Sequence, residues 1–165
     1  AASGFVHAGS TTRFGGAIPA RTSVDLRLAS AADIAALTDL EAAASGVHKP
    51  DYLRAWLNGS DTRKTIVAFR SGAPIGFCHV RQCRMGAKIG PLVADDVATA
   101  ERLMRHAASL FPGEVSIDVP ETSVPLATLC TRFGLTPGFR TARMYRGSFE
   151  PVPSDFFAVT SLELG

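Results

Sequence analysis

The sequence lacks the features that mark membrane and secreted proteins. No apolar run approaches the roughly 18 residues that cross a membrane, and residues 1–19 have neither the basic start nor the apolar centre of a secretion signal. These absences predict a cytoplasmic protein without membrane contact.

Cysteine and net positive charge are also scarce. The three cysteines, Cys78, Cys83 and Cys130, form no C-x-x-C pair and have no histidine at metal-binding spacing. The net charge of +2 is too small for the dense basic field that nucleic-acid backbones require. We therefore expect reduced, mostly buried thiols, and neither a disulfide framework, a metal site nor a nucleic-acid partner.

The length of 165 residues and the hydrophobic content of 46% are enough for one domain with a sizeable core. We place that domain at residues 24–147, after a linker at 17–23. The tail, residues 148–165, contains Pro151, Pro153 and an apolar patch at 156–159. It is predicted to pack along the surface or against a neighbouring domain, and an oligomer contact through the same patch is an alternative.

The first residues of the chain repeat a stretch near its end. Gly4, Thr11 and Arg13 match Gly134, Thr141 and Arg143 at a fixed offset. One interpretation is that residues 1–16 are the terminal strand of a missing N-terminal twin domain, and the other is a coincidence between two ordinary strands.

The pattern of apolar residues predicts the order β-α-α-β-β-β-α-β-α-β. Ser30 with Asp33 is typical of a helix start, Pro50 of a second helix, and Asp95 or Asp96 of a third. The predicted strands are residues 24–28, 65–69, 75–80, 88–93, 115–119 and 139–146. This order favours an α/β (α+β) fold with a mixed sheet, antiparallel in its first half and crossed by helices in its second.

Three motifs extend this prediction to a family. Residues 89–95 (Ile-Gly-Pro-Leu-Val-Ala-Asp), 117–120 (Ile-Asp-Val-Pro) and 143–147 (Arg-Met-Tyr-Arg-Gly) resemble the C-terminal half of a tandem GCN5-related N-acetyltransferase (GNAT). The resemblance implies a GNAT-like mixed sheet with helices on both faces. It also implies acetyl transfer from acetyl-CoA to a small-molecule amine, and an N-terminal GNAT domain of the same protein as partner.

The resemblance implies cofactor contacts at Leu92, Val93 and Ala94 on one strand and at Val97 and Ala98 on the following helix. Family members hold acetyl-CoA against a strand that splays from its neighbour, and grip its pyrophosphate with a glycine-rich loop at a helix N-terminus. Here the corresponding segment, residues 94–100, is several residues shorter than the family loop. It contains no glycine or basic residue and includes two carboxylates. We therefore expect poor anion binding, so that acetyl-CoA is in doubt for this domain alone. The alternative for the strand residues is an ordinary core strand.

The same resemblance implies catalytic positions at Asp118 and Cys130. Asp118 stands where related enzymes often place a base, and Cys130 replaces a tyrosine that serves as general acid; Ser123 replaces an asparagine. Arg143 and Tyr145, which share a strand face, are candidate substrate-binding residues. The alternatives are a solvated acid or helix cap for Asp118, a small buried residue for Cys130 and a surface ion pair for Arg143.

These observations support two functions. In the first, the parent protein is an acetyltransferase and this domain is its C-terminal GNAT-like half with an eroded cofactor loop. In the alternative, the domain is non-catalytic and binds substrate, supports an active neighbour or senses a ligand.

Overall fold

A computed structural model describes residues 4–148 and 154–162. In chain order, the strands are β1 Phe5–Ala17, β2 Leu26–Leu28, β3 Arg63–Arg70, β4 Ala73–Gln82, β5 Ala87–Ala94, β6 Glu114–Pro120, β7 Thr136–Arg146 and β8 Phe157–Ala158. The helices are α1 Ile34–Ser45, α2 Pro50–Leu57, α3 Val97–Leu110 and α4 Val124–Arg132. None of the helices in these described ranges is long and apolar enough to cross a membrane.

The strands form one mixed sheet in the order β2-β3-β4-β5-β6-β1-β7, with β8 paired to β5. Strands β2 to β5 are antiparallel neighbours, whereas β5 and β6 are parallel. A parallel pair needs a crossover, and α3 provides it. The predicted fold class, with an antiparallel first half and an α/β second half, is confirmed.

Local sequence signals set the helix boundaries. Asp33 accepts a hydrogen bond from the Ser30 amide at 2.6 Å, as the capping pattern predicts. Gly46 ends α1 in the left-handed conformation, at φ 75°. Of the two candidate caps of α3, Asp96 is the one used, since its carboxylate accepts from the Thr99 amide at 2.7 Å.

Helices cover both faces of the sheet, and each face has its own core. Helices α3 and α4 bury Leu103, Met104 and Leu129 against one face. Helices α1 and α2 bury Leu37 and Leu53 against the other. Successive strand residues alternate between these faces, so β6 contributes Ile117 to the first core and directs Asp118 to the second face.

The opening strand is an internal part of this sheet. β1 lies between β6 and β7 and pairs with both in antiparallel orientation. Its origin in a twin domain stays a prediction, as do the linker and the other domain boundaries.

The prediction that the tail packs on the surface was wrong for the part that the structure describes. Phe157, Ala158 and Val159 are buried, with exposed fractions of 4%, 0% and 2%. The apolar patch is therefore not free to make an oligomer contact. A short apolar patch beside prolines is typical of a surface segment, and only the pairing of β8 with β5 shows where this one lies. Residues 149–153, which include Pro151 and Pro153, lie outside the described residues.

Candidate functional site

Strands β5 and β6 pair over only part of their length. The parallel pairing covers three residues of each strand and ends where Ile89 pairs with Ile117. The predicted cofactor contacts Leu92, Val93 and Ala94 all lie beyond this point on β5. The structure thus contains the separation of strands that the sequence resemblance implies.

The gap beside β5 is filled by the C-terminal segment of the same chain, residues 156–160. β8 pairs in antiparallel orientation with Leu92 and Val93. The Ala94 amide donates to the carbonyl of Phe156 at 3.0 Å. In this conformation the β5 backbone beside the gap is engaged by the protein itself.

The segment also joins β6 on the other side of the gap. The Val159 amide donates to the backbone carbonyl of Asp118 at 3.0 Å. Gly90 permits this close passage: a Cβ atom there would lie 2.4 Å from the carbonyl oxygen of Val159 and 2.9 Å from that of Thr160. Any larger residue at position 90 would therefore have to displace the segment.

Helix α4 holds the beginning of the segment. Ser123, which is fully buried, donates its hydroxyl to the carbonyl of Ser154 at 2.5 Å. The Leu126 amide donates to the carbonyl of Asp155 at 3.2 Å. The serine that replaces the family asparagine therefore anchors the C-terminal segment.

Asp118 lies at the centre of a buried ion-pair network. Its carboxylate accepts from the Arg13 guanidinium at 2.8 and 3.0 Å, pairs with the Lys88 ammonium, and accepts from the Leu162 amide at 2.9 Å. Burial raises the pKa of Asp118, but the hydrogen bonds from Arg13 and Lys88 outweigh burial and hold it below its ordinary value. Asp118 is thus a buried, paired anion rather than a free base.

Lys88, a partner of Asp118, is not among the site residues predicted from the sequence. Lys88 is only 3% exposed, and burial lowers its pKa. The available signal was a single lysine inside the apolar run of β5, because a buried lysine is almost always paired.

Cys130, the other predicted catalytic residue, is buried in α4. Burial raises the pKa of its thiol to about 12. Cys130 faces the core between α3, α4 and the sheet. Asp118 lies on the opposite face of the sheet. The catalytic roles of both residues stay predictions.

The two predicted substrate-binding residues contact each other on β7. The Arg143 guanidinium donates to the Tyr145 hydroxyl at 2.6 Å and lies 5.7 Å from the centre of the Tyr145 ring. Both side chains are half-buried. They form a polar surface on the strand that neighbours β1.

The N-terminus of α3, where the family binds pyrophosphate, is already capped by a carboxylate. Asp96 accepts from the Thr99 amide, and Arg70 pairs with Asp95 at 2.7 Å and with Asp96 at 3.5 Å. Val97 and Ala98, the predicted contacts on this helix, are exposed. Negative charge therefore occupies the helix end that would favour an anion.

His79 on β4 is a buried histidine with a defined tautomer. The Thr65 hydroxyl donates to the carbonyl of Leu57 at 2.9 Å, so that it can only accept from His79 Nδ1, which lies 2.9 Å away. His79 Nε2 is therefore an unprotonated acceptor. Burial lowers the pKa of His79 to about 3, and the positive charges of Arg63 and Arg81 add to this effect.

This histidine predicts a pH dependence of stability. Because its pKa is lower in the folded state than the ordinary 6.5 or so, its contribution is complete above about pH 6.5 and is lost as the pH falls towards about 3. We expect the free energy of unfolding to fall by up to about 1.4 kcal/mol per pH unit in this window. Urea denaturation at several pH values measures it.

A His79→Asn variant should lose this part of the pH dependence. The matched control is His48→Gln, which changes an exposed histidine. If the wild-type protein and His79→Asn have parallel profiles between pH 6.5 and 4, the assignment of a buried neutral histidine is wrong.

Comparison with known proteins supports the fold assignment. A proposed acetyltransferase from Pyrococcus horikoshii superimposes with a TM-score of 0.76 at 22% identity, over 95% of this chain and 52% of that protein. A GCN5-related N-acetyltransferase from Kribbella flavida gives a TM-score of 0.58 at 20% identity, over 86% of this chain and 38% of that protein. At these identities the similarity concerns the fold.

Sequence comparison identifies an acyltransferase as a relative of this chain. It is 29% identical over 125 residues to a holothin acyltransferase from Pseudoalteromonas sp. (strain SANK 73390), an alignment that covers 73% of this chain and 42% of that protein. The chain thus spans less than half the length of this curated relative. The acetyltransferase (GNAT) domain family matches residues 37–156, which is more than half of the chain. The chain therefore belongs to the GNAT acetyltransferase family.

Proposed function

We propose that the protein to which this domain belongs transfers an acetyl group from acetyl-CoA to an amine, and that this domain is a non-catalytic half that binds or positions substrate. The observation that carries the second part is the gap between β5 and β6. The segment at 156–160 fills it and takes the hydrogen bonds of Ala94 and Asp118 that face it. A pantetheine arm would have to replace these interactions.

The electrostatics of α3 support the same proposal. A pyrophosphate at its N-terminus would meet Asp95 and Asp96 instead of free amides and glycines. The negative carboxylates repel a negative pyrophosphate. Asp96 also occupies a helix-end amide that would otherwise attract the anion.

The proton chemistry of the two candidate catalytic residues also supports it. Transfer to an amine requires a base that accepts a proton and an acid that donates one to the leaving thiolate. Asp118 is shifted towards staying charged, and Cys130 towards staying protonated. Both shifts oppose the required transfers near neutral pH.

The remaining role is contact with the acceptor. Asp118 pairs with Arg13, and the register of β1 with β7 places Thr11 opposite Thr141, so that Arg143 and Tyr145 share the face of Asp118. This polar face is suited to orienting an amine for an active neighbouring domain.

Calorimetric titration of this chain with acetyl-CoA tests the proposal. We expect no binding heat up to millimolar cofactor, whereas the complete protein should bind it and acetylate amines. Micromolar binding to this chain alone, or acetylation of an amine panel by it, would contradict the non-catalytic assignment. An inactive complete protein would contradict the acetyltransferase assignment.

A further inference from the structure

Trp56 on α2 is the centre of a polar cluster that the proposed function does not use. The Tyr52 ring stacks on it at 5.8 Å between centroids, and the His79 ring lies at 6.0 Å. The Arg81 guanidinium lies 5.4 Å from the centre of the Trp56 ring. Side chains from α2 and β4 thus meet on one face of the sheet.

All four of these side chains have a buried polar atom without a hydrogen-bond partner among the described residues: Tyr52 Oη, Trp56 Nε1, His79 Nε2 and Arg81 Nε. The Trp56 and Arg81 atoms are donors, and the fixed tautomer makes His79 Nε2 an acceptor. Buried polar groups in folded proteins are nearly always paired. A complementary group therefore belongs here.

The charge around this cluster defines what it attracts. Arg81 lies opposite Arg63 on β3 and opposite Lys88 on β5, and it forms no ion pair within residues 4–148 and 154–162. Asp118, the carboxylate that pairs with Lys88, is shared with Arg13. The row of side chains across these strands carries excess positive charge, which favours an anion.

We infer that this cluster binds a small hydroxycarboxylate. Arg81 and Trp56 donate to the carboxylate, and His79 Nε2 accepts from the hydroxyl group. An amine in place of the hydroxyl would bring a positive charge towards Arg81 and Lys88, so amino acids are disfavoured. Tyr52, Trp56 and Arg81 are only half-buried, so the cluster reaches the surface of the protein. This site requires no acyl transfer and goes beyond the proposed function.

Nuclear magnetic resonance of protein labelled with ¹⁵N-histidine tests the inference. Glycolate is the probe, acetate lacks the hydroxyl donor, and glycine carries the ammonium group. We expect glycolate to shift the His79 Nε2 signal in a saturable manner, acetate to bind at least fivefold more weakly, and glycine to leave the signal unchanged.

Two variants with the same change of charge complete the test. Arg81→Gln should weaken glycolate binding at least tenfold, whereas Arg84→Gln, at an exposed arginine beyond the end of β4, should not. The inference is overturned if glycolate leaves the His79 signal unchanged, if Arg81→Gln binds it as well as wild type, or if crystals grown with glycolate contain only ordered water at Trp56 Nε1, His79 Nε2 and Arg81 Nε. The glycolate experiment contains no acetyl-CoA. A negative result would therefore overturn this inference without changing the result expected from the acetyl-CoA titration.

Discussion

Phe157→Ala should lower the free energy of unfolding by about 3 to 5 kcal/mol, the usual cost of truncating a fully buried phenylalanine. Phe157 is 4% exposed and packs in the core of the α1 and α2 face with Leu37 and Phe77. The truncated residue also belongs to β8, so the cavity would lie directly beside the β5 backbone. Denaturant unfolding measures this loss, and a lower melting temperature should accompany it.

The matched control is Phe139→Ala, which removes the same atoms from a side chain that is 66% exposed. That change should alter the free energy of unfolding by less than about 0.5 kcal/mol. If the two variants are equally stable, the C-terminal segment is not docked in solution, and the proposal of a filled gap loses its support.

The C-terminal segment supplies the hydrogen bonds that the gap between β5 and β6 would otherwise leave open. In a separated pair of strands, exposed amides and carbonyls must find partners, and in this family an acyl carrier can supply them. Here the Ala94 amide and the Asp118 carbonyl find theirs in Phe156 and Val159. The domain therefore completes its sheet without a ligand, which suits a half that supports chemistry elsewhere.

The sequence predicted the fold because most of its signals are local. Alternating residues such as Ile117 and Asp118 place a strand and its two faces, while Gly46 and Asp96 mark helix ends. The position of β8 was not predictable in this way. Its two residues carry no periodicity, and its place depends on a gap formed by strands far away in the chain.

In the candidate site too, the orientation of a side chain follows from the local sequence, whereas its partners do not. The alternation of residues along β6 predicts that Asp118 points away from the core that contains Ile117, and the structure confirms that orientation. Its partners Arg13 and Lys88 come from strands that are distant in sequence. Neither ion pair follows from residue spacing, because each depends on which strands become neighbours and in which register.

Asp118→Asn should destabilise the protein by about 3 to 5 kcal/mol, because it leaves a buried cation uncompensated. The substitution keeps the size of the side chain but removes the charge that Lys88, 3% exposed, and Arg13 share. Asp95→Asn is the control: its pair with Arg70 is largely exposed, so the expected loss is at most about 1 kcal/mol. Urea denaturation near neutral pH measures both.

Adding Lys88→Met distinguishes two causes of this loss, the uncompensated charge of Lys88 and a change in packing. Methionine fills a similar volume without a charge, so Asp118→Asn should cost less in the Lys88→Met background than in the wild type. We expect a coupling of about 1 to 3 kcal/mol between the two positions, in the range measured for contacting residues. Additive losses would show that Lys88 does not depend on Asp118 for its charge. The carboxylate would then act mainly through Arg13 and the Leu162 amide, as an anchor of the C-terminal segment.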